Sequence, residues 1–345
     1  MNVTVHQRPG VYSAYDASSV VSGSGAGKQV GLVAVNAKAA ANEVKIVTSY
    51  DGAVNAFGQG TMAELVRLAL KNGAGAVAAV PIAGGEGYAD GFAALEGLED
   101  ITAVICDSTD GDVQKAMKQS VETASANRRE RIAVAAGGAG ETVDQLIARA
   151  KALNHERVVL VAPGGVNQNG EAADGLAVAG AIAGESDPAV PLGGAVLTGL
   201  YGLSGRYSDG EMDRLILGGV TPVESLAGTI GVVRGVTTRT TTGEAADATW
   251  RDLTTIRIVD DVIPTLRRAL RTKFQRAKNT AQSRGAIRAQ VVLELENKKA
   301  REIITGYENV TVTADSQDPA RCLVDFSFTV AHGLNQIWLT AHITV

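Results

Sequence analysis

Cysteine and histidine are scarce in this 345-residue sequence. Cys106 and Cys322 stand far apart in a chain with no export signal, so a disulfide framework is excluded and both read as buried thiols. His6, His155, His332 and His342 are scattered and form no metal-binding pair, so no transition-metal centre is expected. No run of about 18 consecutive apolar residues occurs, which removes a spanning helix and direct membrane insertion from the expectations. The N-terminus lacks the charged, apolar and small-residue succession of a signal peptide, and synthesis in the cytoplasm is expected. No G-x-S-x-G elbow, H-E-x-x-H or CxxC is present, so nothing marks a catalytic, metal or cofactor site.

Three glycine-rich stretches imitate nucleotide loops and each fails at a defined position. GSGAGKQ, at Gly23 to Gln29, has Ser22 where the phosphate loop needs glycine and Gln29 where it needs Ser or Thr. AAGGAGETV, at Ala135 to Val143, runs Gly138-x-Gly140-x-x-Val143 and so lacks the third glycine of a dinucleotide fingerprint. Arg157 stands near the place of the ribose-binding acid. APGG, at Ala162 to Gly165, reads as a tight turn of the same kind.

What is present is a soluble composition, 45% hydrophobic and 20% charged, in a chain long enough for two or more cores. Val3 and Val5 alternate before a break at Arg8-Pro9-Gly10, which predicts an extended arm and a turn. Asp16 to Gly27 reads as a flexible connection, and Gln29 to Ala37 and Glu43 to Ser49 as short strands. From about Thr61 the pattern alternates. Helices are predicted at Thr61 to Lys71, Tyr88 to Leu98, Asp112 to Asn127, Glu141 to Leu153 and Glu171 to Ala183. Continuous apolar strands are predicted between them at Ala76 to Ile82, Ile101 to Cys106, Arg131 to Ala136 and Arg157 to Ala162. Such strands between amphipathic helices predict a parallel sheet covered on both faces, a Rossmann-like α/β domain. Ser186 to Gly210 reads as loop and the threonine-rich VTTRTTTGEAADATW as an exposed loop, with a helix from Asp209 to Leu217 and a strand from Thr229 to Arg234 between them.

The sequence is organised around Thr255 to Leu295. It is predicted to open as a strand at Ile256 and Ile258, to be capped by Asp260 with Asp261 at the positive helix start, and to hold Pro264 in the first turn. The helix then carries apolar residues at Ile263, Leu266, Leu270, Phe274 and Ala277. Between Val262 and Leu293 stand Arg267, Arg268, Arg271, Lys273, Arg276, Lys278, Arg284 and Arg288, with no acid, in a chain of net charge −5. Helical phase places Arg267, Arg271 and Lys278 within an arc of about 40°, with Arg268 beside them. A face of one sign predicts an anionic partner. Phe274 is the only aromatic between Asp252 and Ala300, and the chain is acidic overall, so nucleic acid is not expected. An acidic protein surface fits better. Beyond this, Asn309 to Thr313 and Cys322 to Val330 predict a hairpin. The chain closes on Ile337, Leu339, Ala341, Ile343 and Val345 alternating with polar residues, a second terminal strand.

RPGVY at Arg8 to Tyr12 (Arg8, Pro9, Gly10, Val11), VAPGG at Val161 to Gly165, IGVVRGVTT at Ile230 to Thr238, IRIVDDVIPTLRRAL at Ile256 to Leu270 (with Asp260 and Asp261) and the alternating C-terminal strand carry a family likeness. In this order and spacing they resemble the tail sheath proteins of contractile phage tails and of phage-tail-like contractile bacteriocins. The resemblance implies a structural, non-enzymatic polymer: stacked rings forming a helical sleeve around an inner tube that contracts to drive the tube through a target envelope. It implies an outer α/β domain and an inner α+β domain made of the C-terminal part and the N-terminal segment, with strand arms at both termini.

The expected divisions are 1–22 (arm and linker), 23–100 (a small α/β segment), 101–245 (outer α/β domain), 246–333 (inner, tube-facing domain) and 334–345 (C-terminal arm). The expected partners are other copies of the chain, the inner tail tube protein, and baseplate and terminator proteins. The expected location is a virion tail or released contractile particle. Strand exchange between subunits would use Val3, Val5, Ile337, Leu339, Ala341 and Ile343, and the tube contact Arg267, Arg268, Arg271, Arg276 and Lys278. The alternative reading is a cytoplasmic nucleotide- or metabolite-binding enzyme on the α/β domain.

Overall fold

A computed structural model describes residues 29–166 and 174–335. The Arg8 to Val11 motif, the two terminal strands and nearly all of GSGAGKQ lie outside the described residues.

Apolar β-rich runs alternate with amphipathic helices through the first half. These are β1 (Gln29–Val35), β2 (Lys45–Val47), α1 (Tyr50–Phe57), α2 (Thr61–Lys71), β3 (Ala76–Ile82), α3 (Tyr88–Glu96), β4 (Ile101–Cys106), α4 (Gly111–Ala126), β5 (Ile132–Ala136), α5 (Val143–Leu153) and β6 (Val158–Ala162). Next come β7 (Gly165–Val166), α6 (Asp174–Gly184), β8 (Gly202–Leu203), α7 (Asp209–Leu217), β9 (Val220–Leu226), β10 (Thr229–Val232), β11 (Thr241–Thr242) and β12 (Ala245–Ala246). Two long helices, α8 (Leu253–Phe274) and α9 (Ala281–Ala300), precede the long strands β13 (Ile304–Ala314) and β14 (Cys322–Val330).

One eight-stranded sheet, in the order β10-β9-β6-β5-β4-β1-β3-β2, organises the α/β part. Its interior is parallel, and β2 and β10 close the two edges antiparallel. Every residue of β6 is buried, as a central strand covered on both faces requires. One face packs on α1, α2 and α6, and the other on α3, α4, α5 and α7. Gly180 lets α6 lie directly on α2, since a Cβ there would meet the Ala69 carbonyl oxygen at 2.5 Å. Strands β1 to β3, from the segment expected to stand apart as 23–100, belong to this same sheet.

Local signals fix most helix starts. Thr142 with Gln145, and Ser208 with Glu211, form capping boxes at α5 and α7. The helix α7 ends at Gly218, with Gly219 at φ 81°.

The sequence reading fails at α8. Ile256 and Ile258 are in its first two turns, not in a strand, and the residue before the helix is Asp252. The β-branched run TTIRIV imitates a strand, but Leu253 to Ile258 are buried without a break because this end of α8 is covered on all sides, and packing overrides propensity. Leu253 and Ile256 enter the core of the large sheet, whereas Ile258, Val262 and Leu266 enter a second core with Val291, Leu295, Ile303 and Val310. Asp260 is therefore interior to the helix and does not cap it. Pro264 also lies past the first turn. It lacks an N–H, and the Thr265 hydroxyl donates to the Asp261 carbonyl at 2.6 Å, one residue along. The threonine-rich segment is not wholly exposed either. Val236, Thr237 and Thr238 are fully buried, and β11 and β12 form a small hairpin beyond them.

Candidate functional site

The place where an open α/β sheet binds ligands is the crevice at the carboxyl ends of strands where the order reverses. Here that is β1, flanked by β3 and β4. The crevice is occupied by the chain itself. The Asp107 carboxylate accepts from the Tyr88 hydroxyl at 2.6 Å and from the Val35 N–H at 3.0 Å. Burial and this carboxylate both raise the Tyr88 pKa, so the hydroxyl stays protonated as donor.

The turn after β5 is filled in the same way. The Gly138 N–H donates to Glu141 Oε2 at 2.7 Å, and Arg149 holds both Glu141 oxygens at 2.6 to 3.2 Å. A carboxylate thus stands where a phosphate would. Burial pushes Glu141 up, but the Arg149 fork and the Gly138 N–H outweigh it and leave the carboxyl below its usual range. Gly138 and Gly140 shape a structural turn.

Charged groups converge instead along α8. Asp260 takes a bidentate fork from Arg157, with Nη1 to Oδ2 at 2.6 Å and Nη2 to Oδ1 at 2.8 Å. The two side chains are 13% and 16% exposed, so the pair is mostly desolvated. Asp261 takes Nζ of buried Lys298 on α9 at 2.5 Å. The two adjacent aspartates therefore point to different bodies, Asp260 to the sheet and Asp261 to the second core. Arg257, also buried, donates to the Glu185 and Val190 carbonyls.

Of the residues expected to form one basic face, Arg267 has an internal partner: its Nη2 lies 2.8 Å from Glu130 Oε1. Arg268 and Arg271 are exposed and line a cleft of about 620 Å³ between α8 and the starts of β4 and β5. Arg276 and Lys278 are exposed beyond the end of α8 at Phe274, so Lys278 leaves the helical arc on which the sequence placed it. Lys273 turns to Gln290 Oε1 at 2.6 Å. The cleft brings in Arg128, Arg129, Glu130 and Arg131, which the sequence reading did not single out. The signal that could have found Arg157 is the buried charge of α8, because an aspartate on a core-facing helix requires a cation from elsewhere in the chain.

The second feature is the β13–β14 sheet. Strand β13 packs on α9, and the Arg288 guanidinium donates to the Val310 carbonyl at 2.9 Å. In β14, Cys322, Val324, Phe326, Phe328 and Val330 share one face, as the alternation predicts, but all five are only half-buried. Among the described residues no third strand joins this sheet. The large sheet is different. Its β2 edge is three residues long, and its β10 edge is covered by Gly194 to Leu197, which bonds to Ile230 and Val232.

Among the described residues no helix is long and apolar enough to cross a membrane. Two family models match the chain: the phage tail sheath protein central domain over residues 82–238, and the phage tail sheath C-terminal domain over residues 245–344. The fold is similar to the anti-feeding prophage helical sheath in its contracted state, with a TM-score of 0.74 and 16% identity over 98% of this chain and 99% of that one. It is also similar to a sheath tail protein from Desulfitobacterium hafniense (TM-score 0.71, 13% identity, 93% of this chain and 100% of that one). A sheath tail protein from Listeria innocua gives a TM-score of 0.69 and 12% identity over 91% and 98%. No curated protein matches the sequence. Two consecutive sheath-domain matches on one chain, carried on a fold that sheath proteins share, mean that the chain belongs to the phage tail sheath proteins and is a subunit of a contractile tail sheath.

Proposed function

We propose that this chain polymerises as stacked rings into a helical sleeve around an inner tube, and that the sleeve shortens and widens to drive the tube through a target envelope. The α/β part is the outer domain. The second core, with β13–β14, belongs to the inner one. The fold's likeness to chains in the anti-feeding prophage helical sheath and baseplate supports self-assembly and a baseplate contact. The inner tail tube protein and a terminator complete the proposed partners, in a virion tail or released particle.

The observation that carries this reading is the half-covered apolar face of β14. An added strand with alternating apolar residues would extend that sheet and complete its cover. The segment Ile337, Leu339, Ala341, Ile343 has this alternation, and Val3 and Val5 offer a shorter version. Each arm would make about four to six backbone bonds worth roughly 1 kcal/mol apiece, a durable link between copies. The tube contact falls to the exposed charges at the α8–α9 turn, Arg276 and Lys278. Exposed pairs worth about 0–1 kcal/mol each, weakened by salt, give a grip that can let go.

The test is electron microscopy of full-length protein beside a truncation lacking Asn335 to Val345. The full-length protein should form hollow striated tubes, and the truncation should fold but stay dispersed. Normal sheaths from the truncation would sink the arm assignment. The nucleotide-enzyme alternative has no observation in its favour, since Asp107 and Glu141 are engaged by the chain's own donors.

A further inference from the structure

We propose that the arginine-lined cleft beside α8 seats the acidic edge of a second copy of this chain, making a head-to-tail contact between α/β parts. The proposal rests on the reading of the chain as a self-assembling sheath subunit, and it names a surface that the arms do not use. After the internal pairs of Arg267, Asp260 and Asp261 are set aside, six guanidinium groups in the cleft face three carboxylates. Arg128, Arg268 and Arg271 are exposed and Arg129 half-buried, and none has a carboxylate within ion-pair distance among the described residues. Arg131 and Arg257 add two buried charges held by carbonyl oxygens, not by acids. Burial, with Arg129 nearby, lowers Arg131 to about 10, so it is still cationic at neutral pH. Glu99, Asp100 and Glu185 are the three carboxylates on the rim, and they do not balance the surplus.

The occupant is identified by where the sheet puts its acids. The cleft is at the starts of β4 and β5, at Ile101 and Ile132. The opposite edge, about 20 Å away along a six-residue strand, carries Glu86, Asp90, Asp107, Asp110 and Asp112, all exposed. In a parallel sheet the covering helices begin at the strand ends, and acids favour their first turns, so this edge collects negative charge from α3 and α4. The Tyr88–Asp107 bond ties the two helix starts into one patch; Lys115 pairs with Asp112, and Arg149, which reaches the Thr109 carbonyl beside Asp110, is committed to Glu141. Each copy thus presents a basic edge and an acidic edge at opposite ends of one rigid sheet. A contact between unlike surfaces is head-to-tail, and it closes into a ring or runs on as an open helix according to its rotation, the two arrangements that a sleeve of stacked rings combines.

The test uses two full-length variants. Arg128→Glu with Arg268→Glu makes the cleft acidic, and Glu86→Lys with Asp90→Lys reverses the charge on the α3 side of the patch. These four side chains are exposed and make no ion pair in the subunit. Each variant alone should raise the critical concentration for polymer by roughly tenfold. An equimolar mixture should polymerise like the wild type, because the altered edge of one variant then matches the altered edge of the other. Rescue by mixing assigns the contact to a second copy and not to the tube. Wild-type polymer from either variant alone, or a mixture no better than its components, overturns the proposal and leaves the sheath reading intact. If a reversed variant melts early, Arg128→Ala with Arg268→Ala replaces it. That variant should weaken the salt dependence of polymerisation, and an unchanged dependence overturns the contact. Wild-type protein that stays dispersed with and without a tube would instead overturn the self-assembly reading, and this contact with it.

Discussion

Removing Arg157 would leave Asp260 desolvated with no cation bonded to it, and breaking a buried pair from one side costs about 3–5 kcal/mol. Arg157→Ala is therefore expected to lower stability by about that amount in urea unfolding, while exposed Arg276→Ala should change it by less than about 0.5 kcal/mol. Glu141 gives a pH signature. Its folded pKa lies below its unfolded value, so its contribution is present above the ordinary carboxylate range and fades as pH falls through the folded pKa. Glu141→Gln should be less stable than wild type at neutral pH, with the gap closing in acid; a constant gap across the titration would refute the assignment. Little of this was legible in the sequence. Asp260 looked like a cap because it follows a β-branched run, and the residue that decides its role lies 103 positions away. Pairing across such a distance leaves no local trace, whereas the failed glycine fingerprint could be read directly, because a missing glycine is local.

Elements with a strict period were easier. Strands β3 to β6 and the helices between them follow from continuous apolar runs and helical spacing, and β14 from its alternation. Helix α8 was misread because its apolar residues serve two cores, which blurs any single stripe. Its packing predicts unequal consequences along its length. Ile258→Ala and Leu266→Ala each remove a buried side chain from the second core and should cost about 2–5 kcal/mol. Hydrogen exchange should quicken first in α9 and β13, with β4 to β6 still protected. Equal loss of protection in both parts would mean that the cores unfold as one.

At the scale of the whole molecule, salt should act unevenly. On the proposed function the arm contact would be made of backbone bonds and apolar burial, and the tube contact of exposed charges. Rising ionic strength should therefore release the tube before it dissolves the sleeve, as followed by sedimentation of sheath with and without tube. Arg276→Glu with Lys278→Glu should mimic high salt for the tube contact alone; unchanged tube decoration at low salt would count against that surface.

Helix α8 begins in the core of the large sheet and continues into the second core without a break in the backbone. In mechanical terms it is a spoke fixed at both hub and rim. If neighbouring subunits add their arms to β13–β14 as proposed, torque applied there would pass to the sheet along one covalent rod, braced by Arg157 and Arg267, and not across a slip plane. The subunit would then turn as a single part, with the work of contraction spent between subunits and not in deforming them.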